Sequence, residues 1–372
     1  MERKHTSTEG LLRENAEPDA DHRPQLPCSQ NQNLVSYSYH AYGLGIDSSN
    51  RIGGLKSAGA PCGKSDLSFE AGPQPGWVTT LLSLPSRILS HKTELAGSAD
   101  PSFVLTQHGE EDGFDLAYSD GTRFVVDRAA RRVWGTYQDP LTEEDMATYF
   151  LGPVMGFVLR RRHIACLHAS GVEFFGQGVA FCGDAGYGKS TTAAALALRG
   201  FPVLAEDILV LKEVERQFHA VPGYPRICLW PESVRMLLGA EDALPKLTPV
   251  WDKRYLDLDG ERVKFANGSL PLGMIYLFAP RSSDTTAPRV EKLSPREALL
   301  ELVQNTYMNW VLGREQRATE FDTLCRLVTQ VTVRRIVPHN QPDKIAALCE
   351  LIQLDAESHL TNSRHSAQPV QP

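Results

Sequence analysis

Three features of the sequence predict an α/β protein. Residues 183–190 read Gly183-Asp184-Ala185-Gly186-Tyr187-Gly188-Lys189-Ser190, a G-x-x-x-x-G-K-S pattern, with an apolar run of strand length before it and an alanine-rich run of helix formers after it. Several short alternating segments between residues 34 and 137 are punctuated by turn residues, the pattern of a small, mainly antiparallel β-domain. Helical patterns then return after residue 295. The expected order is a disordered leader at 1–33, a mainly β-domain ending in a helix at 34–163, an α/β domain bearing the glycine-rich loop at 164–356, and a disordered tail at 357–372.

Within the first domain, Val35, Tyr37, Tyr39 and Ala41 alternate along a strand expected over 34–46, and further strands are expected at 77–82, 103–106, 116–118, 123–127 and 132–137. Asp120-Gly121 is a hairpin signal, and 53–76, rich in Gly, Ser and Pro, reads as a loop. A helix is expected over 142–161, started by Thr142 with Glu143, Glu144 and Asp145 in the first turn, where carboxylates suit the dipole. Pro153 should kink or divide it, and Arg160-Arg161-Arg162-His163 reads as a solvated basic terminus. In the second domain, strands are expected at 178–182, 201–204, 208–212 and 274–278. Helices are expected at 191–199, closed by Gly200, and at 295–312, 320–327 and 343–354.

Composition limits the function classes. At 372 residues and 42% hydrophobic content the chain can bury a sizeable core, while a net charge of −7 argues against nucleic acid or an anionic membrane as the main partner. No apolar run reaches membrane-spanning length and the polar N-terminus lacks a signal-peptide core, so a cytoplasmic protein is expected. The seven cysteines include no C-x-x-C pair and read as reduced thiols, Cys182 directly before the glycine-rich loop among them.

The 183–190 pattern suits a polyphosphate, which must lie against bare backbone so that successive N–H groups and a helix N-terminus donate to its oxygens. Gly183, Asp184, Ala185, Gly186, Tyr187, Gly188, Lys189, Ser190 and Thr191 are therefore the expected nucleotide-binding residues. Lys189 would reach the β- and γ-phosphates and the Ser190 hydroxyl would coordinate Mg²⁺. Glu206 and Asp207 close the strand after the loop's helix, where one acid can hold the metal and the other accept a proton. Adjacent residues of an extended strand face opposite ways, so one of the two is expected to meet the nucleotide. His168 on its own reads as a structural histidine. Arg226 and the Lys253-Arg254 pair are candidate cations near the phosphates, and Tyr224 and Trp230 candidate walls of a peptide groove.

Leu167-His168-Ala169-Ser170, the 183–190 loop and the run from Arg199-Gly200 to Ala205-Glu206-Asp207 resemble the catalytic domain of the HPr kinase/phosphorylase family. Pro222-Gly223-Tyr224-Pro225-Arg226 and the Tyr42-Gly43-Leu44 strand are similar to the HPr-kinase-like proteins that phosphorylate a serine of lasso-type precursor peptides. The resemblance implies a P-loop kinase domain preceded by a small β-domain, ATP and Mg²⁺ as requirements, Asp207 as catalytic base assisted by His168, and Glu206 in place of the family's first Asp. It implies a serine-containing peptide or small protein as acceptor, and since HPr kinases are hexamers, a homo-oligomer is among the expected assemblies. A kinase of a small molecule such as free serine, and a nucleotide-gated regulatory module, are the alternative readings; the acid pair and His168 favour catalysis over pure binding.

Overall fold

The computed structural model describes residues 37–58, 65–92 and 102–366, so the expected leader lies outside the described residues. They form a mixed α/β structure with two large sheets and a two-stranded one. The first sheet takes β1 (Tyr37–Ala41), β2 (Leu44–Ser48), β3 (Leu67–Ala71), β4 (Ser86–Lys92), β5 (Phe103–His108), β6 (Gly113–Tyr118), β7 (Arg123–Asp127) and β8 (Arg132–Thr136), with helix α1 (Gly76–Leu82) between β3 and β4. Its order is β1-β2-β3-β8-β7-β6-β5-β4. The two pairings of β3 are parallel and the others antiparallel.

Helices α2 (Glu143–Tyr149) and α3 (Met155–Arg161) follow, separated by a π-helical turn at Phe150–Val154 that contains Pro153, so the proline divides the helix as its missing N–H requires. Thr142 and Asp145 cap α2 reciprocally.

The second sheet and its helices comprise β9 (Cys166–Phe174), β10 (Gln177–Cys182), α4 (Lys189–Ala197), β11 (Val203–Ala205), β12 (Ile208–Val214), β13 (Gln217–Val221), β14 (Arg226–Leu229), α5 (Pro231–Leu238), β15 (Arg254–Asp257), β16 (Leu270–Phe278), β17 (Arg289–Lys292), α6 (Pro295–Gln304), α7 (Arg314–Gln330), β18 (Thr332–Val337) and α8 (Ile345–Ser366). Strands β10, β16 and β18 run parallel side by side. Because β10 also pairs with β9, and β9, β12, β13 and β16 pair in turn, those five strands close into a ring. Strands β14 and β15 form the two-stranded sheet.

The parallel strands are buried on both faces, which explains why they read as near-continuous apolar runs. Val179, Phe181, Met274, Tyr276 and Ile336 pack with residues of α4 and α8, while Ala180, Cys182, Ile275, Leu277 and Val333 pack with residues of α6 and α7. Another core, rich in Phe69, Phe114, Phe124, Phe150 and Phe157, fills the space under the first sheet and takes in Ile208, Val210 and Val221 from the second. Each such side chain, fully buried, contributes about 1.5–3 kcal/mol.

Several expectations are corrected. The strand expected over 34–46 is a hairpin: Tyr42 and Gly43 both have positive φ (57° and 77°), the turn geometry that matches strand twist. Residues 77–82 are helical, because Val78 and Leu81 bury one side at helical spacing after Pro75 at the N-cap. The expected loop 53–76 contains β3, whose alternating Leu67 and Phe69 are buried. Arg160-Arg161-Arg162 is no solvated terminus: Arg160 is buried against Glu320, Arg161 pairs with Glu111 over the Phe114 ring, and Arg162 pairs with Asp66. The expected 295–312 helix stops at Gln304, and the helix beginning at Ile345 continues past Glu357 to Ser366, where a disordered tail was expected.

Candidate active site

The glycine-rich loop joins the C-terminal end of β10 to α4, at the carboxyl edge of the parallel strands, where ligand crevices of α/β sheets form. A Cβ on Gly183 would stand 2.9 Å from the Phe278 Cβ, so only glycine lets the chain leave β10 this close to the end of β16. Gly188, at φ 102°, is the N-cap of α4 and supplies no side-chain hydrogen bond to it. The first N–H groups of α4 thus lack a cap and point, with the positive end of the helix dipole, into the loop.

Lys189 lies inside the curve of the loop, 7% exposed, and its Nζ donates to the carbonyls of Gly183 (2.6 Å) and Asp184 (3.1 Å). Burial lowers its pKa, opposed by the charges of Asp207, Glu206 and Asp184. The next residue, Ser190, donates from Oγ to Glu206 Oε1 at 2.8 Å.

Glu206 and Asp207 sit between β11 and β12. Ile208 N donates to Glu206 O at 2.7 Å across Asp207, whose φ is 65°, so the chain makes a γ-turn centred on Asp207. This turn breaks the strand's alternation. Glu206 reaches Ser190 on the loop while Asp207 turns to His168 and Tyr307, and both charges bear on Lys189. A non-glycine residue in this rarely occupied region costs on the order of 1–3 kcal/mol and marks a place where geometry is imposed.

Asp207 is further held by two neighbours. His168 on β9, which pairs with Ile208 across the strands, places Nε2 3.1 Å from Asp207 Oδ1, and Tyr307 donates its hydroxyl to Oδ2 at 3.2 Å. Tyr307 is in place because residues 305–307 run along β9: His168 N donates to Asn305 O, and Tyr307 N donates to Cys166 O. The Tyr307 ring fills the space beside Gly156 on α3, where a Cβ would come within 2.2 Å of it.

The two acids titrate differently. Glu206, 7% exposed, is pushed up to about 7, first by burial and then by the charge of Asp207. Burial pushes Asp207 the same way, but the His168 hydrogen bond and charge, the Lys253 charge and the Tyr307 hydroxyl outweigh it and hold the carboxyl below its ordinary value. Environments that split a carboxylate pair in this way separate their roles. Behind the loop, burial pushes the Cys182 thiol up to about 12, which leaves it protonated and inert.

The other expected cations and aromatics fall around this centre. Lys253 lies over the Trp230 ring at 5.2 Å, and its charge bears on both acids. Arg226, on β14, stacks on Tyr255 at 4.1 Å and abuts Gly54; among the described residues no hydrogen bond or ion pair joins it to the loop or the acids. Arg254 is turned to the carbonyl of Asp252. Tyr224 is no exposed groove wall: its hydroxyl meets Cys228 Sγ at 3.8 Å and its ring meets Tyr42 edge-on. Trp230 is exposed. Tyr307, which comes to Asp207 from 100 residues away, carries no local signal of this role. Only the short break after the α6 pattern, with Asn305-Thr306-Tyr307 returning along β9, could have drawn attention to it.

Ser190 and Glu206 offer hard oxygen donors, which fit Mg²⁺. Among the described residues no group of three or more His, Cys, Asp or Glu side chains gathers as a metal site.

No family model matches the chain, and no curated protein matches it. Among solved structures, that of the HPr(Ser) kinase/phosphatase from Coxiella burnetii is similar at 14% identity over 52% of this chain and 97% of that one, with a TM-score of 0.28. A score that low carries no conclusion about this chain. No described helix is long and apolar enough to cross a membrane.

Proposed function

We propose that the chain is an ATP- and Mg²⁺-dependent phosphotransferase that moves the γ-phosphoryl group to a serine hydroxyl of a peptide or small protein, with a ribosomal precursor peptide as the acceptor class. The observation that carries this reading is the convergence of Lys189 and Ser190, from the glycine-rich loop, with Glu206, Asp207 and His168 at one strand end.

In this reading the loop amides and the uncapped start of α4 hold the polyphosphate, and Lys189 exchanges the Gly183 and Asp184 carbonyls for phosphate oxygens. Ser190 and Glu206 would hold Mg²⁺, which when bound offsets charge on the transferring group. The acceptor hydroxyl forms its bond to the γ-phosphorus as the bond to the β-phosphate oxygen breaks, and ADP leaves with that oxygen. The hydroxyl proton passes to Asp207, which His168 and Tyr307 orient and keep ionised. A depressed pKa is no obstacle, because phosphoryl transfer is largely dissociative and needs the base late. The proposal also covers a soluble, cytoplasmic setting and the remaining loop residues as nucleotide contacts.

Intact-mass spectrometry of serine-containing precursor peptides, incubated with the protein, ATP and Mg²⁺, tests this. A phosphate-sized mass gain, absent with Lys189→Ala, is the expected result; no gain on any peptide while free serine or another small alcohol is phosphorylated would replace the acceptor class.

A further inference from the structure

Three loops leave the carboxyl edge of the parallel strands β10, β16 and β18, at residues 183–188, 279–288 and 338–344. The acids and the last two loops lie on opposite sides of the first. On one side β10 pairs with β9, which also pairs with β11 and β12, and the junction of those two strands holds Glu206 and Asp207. On the other side β10 pairs with β16, and β16 with β18. A polyphosphate on the 183–190 loop with its γ end at the acids therefore runs its other end toward the loops of β16 and β18.

A cleft lies there. Tyr187 and Thr192 line it from the glycine-rich loop and α4, Asn340 and Gln341 from the loop after β18, and Met236 and buried Leu348 add apolar surface. Its enclosed volume is about 40 Å³, enough to grip an edge and a face of a flat ring while the remainder stays in solvent. The 338–341 backbone is fixed: Ser282 N donates to Pro338 O (2.9 Å), Asn340 N to Ser282 O (3.0 Å) and Gln341 N to His339 Nδ1 (3.0 Å). Among the described residues no hydrogen bond engages the side-chain amides of Asn340 and Gln341. The Thr192 hydroxyl, on a residue 1% exposed, likewise has no partner among them. A buried hydroxyl left unpaired is costly, so it points to a partner that arrives with a ligand or its water.

We infer that this cleft is the nucleobase subsite and that it takes adenine. The inference rests on the phosphate-loop part of the function proposed above. An aromatic ring beside aliphatic side chains suits a flat heterocycle. An asparagine or glutamine amide presents a donor and an acceptor together, which matches the N6 amino group and adjacent ring nitrogen of adenine. Guanine would ask for a carboxylate opposite its N1–H and N2 amino groups, and no Asp or Glu lines the cleft. Arg281, whose Nη2 lies 3.5 Å from Gly186 O, stands at the glycine-rich loop, on the phosphate side.

Isothermal titration of the full chain, in Mg²⁺, with ATP, GTP and methyl triphosphate tests this, the last carrying the same charge as a nucleotide without a base. ATP should bind about tenfold more tightly than either of the others. Replacing both amides, Asn340→Ala with Gln341→Ala, should bring ATP and GTP to equal affinity. Tyr187→Leu is the second variant and should bring ATP close to methyl triphosphate. Methyl triphosphate should bind both variants as it binds wild type, which shows that the loop still folds. Equal binding of ATP and methyl triphosphate by wild type, a preference for GTP, to whose O6 Lys344 could donate, or ATP affinity unchanged in both variants overturns the inference. If none of the three ligands binds, the phosphate-loop reading falls and takes the inference with it. ATP selectivity that vanishes in the variants upholds the inference even where no phosphoryl transfer is found, a result that counts against the phosphotransferase reading alone.

Discussion

The sheet of β1–β8 and the strand ends of β10, β11 and β12 are built on opposite terms. Under the first sheet, Phe69, Phe124 and Phe150 stack with centroid distances of 4.1–6.5 Å and obey every local rule of a packed core. At the strand ends the rules are broken together: a lysine is buried on loop carbonyls, two acids stand side by side, and an aspartate sits at positive φ. Breaches gathered in one place are what the proposed site requires, because local rules are broken where function is built. The difference teaches that substitutions in the first region should cost stability, and those in the second should cost function and leave stability alone.

The largest effect expected is Phe124→Ala, which should lower unfolding free energy by about 3–5 kcal/mol in denaturant melts, because Phe124 is fully buried and Gly135 already brings its backbone against the ring. Asp207→Asn should do the reverse. Asparagine tolerates positive φ and relieves the charge beside Glu206 but gives up the favourable His168 and Lys253 charges, so the melting temperature should change little while phosphoryl transfer falls by a factor of about a hundred or more. Loss of stability in that variant, with activity retained, would erase the contrast. Tyr307→Phe removes one hydroxyl bond to Asp207 and should slow turnover by about tenfold or less, with substrate KM little changed and the pH profile of kcat displaced upward as the carboxyl loses a stabilising donor.

The smallest effect lies on α8, outside both regions. His359 contacts Arg334, which pairs with Asp355, and burial, then the Arg334 charge, lowers the histidine's pKa from its ordinary 6.5. The folded chain therefore binds fewer protons than the unfolded chain between the lowered value and 6.5. Stability should be full above that window and fall as pH drops through it, and His359→Gln should flatten this part of the pH–stability curve.

How much of this was legible in the sequence follows the same divide. The 183–190 loop could be read because its spacing is the chemistry: each glycine answers a backbone need, and Lys and Ser follow at fixed positions. The capping box at Thr142 and the break at Pro153 could be read because they act within one helix turn. What could not be read depends on distant partners. Arg160 looks solvated until Glu320 arrives, nothing local announces the γ-turn that breaks the strand at Asp207, and Tyr307 has no local signal for Asp207. Residues 77–82, expected as a strand, are helical because burial of Val78 and Leu81 at helical spacing overrides the strand propensity of Val and Thr.

The central claim, that binding and chemistry are separate functions of the loop and the acids, is tested most directly by titrating a fluorescent ATP analogue with Mg²⁺ into wild type, Lys189→Ala and Asp207→Asn. The account predicts saturable binding to wild type, binding within about threefold of it for Asp207→Asn, and none detectable for Lys189→Ala. Binding to Lys189→Ala as tight as to wild type would contradict it, because the loop would then not be holding the phosphates.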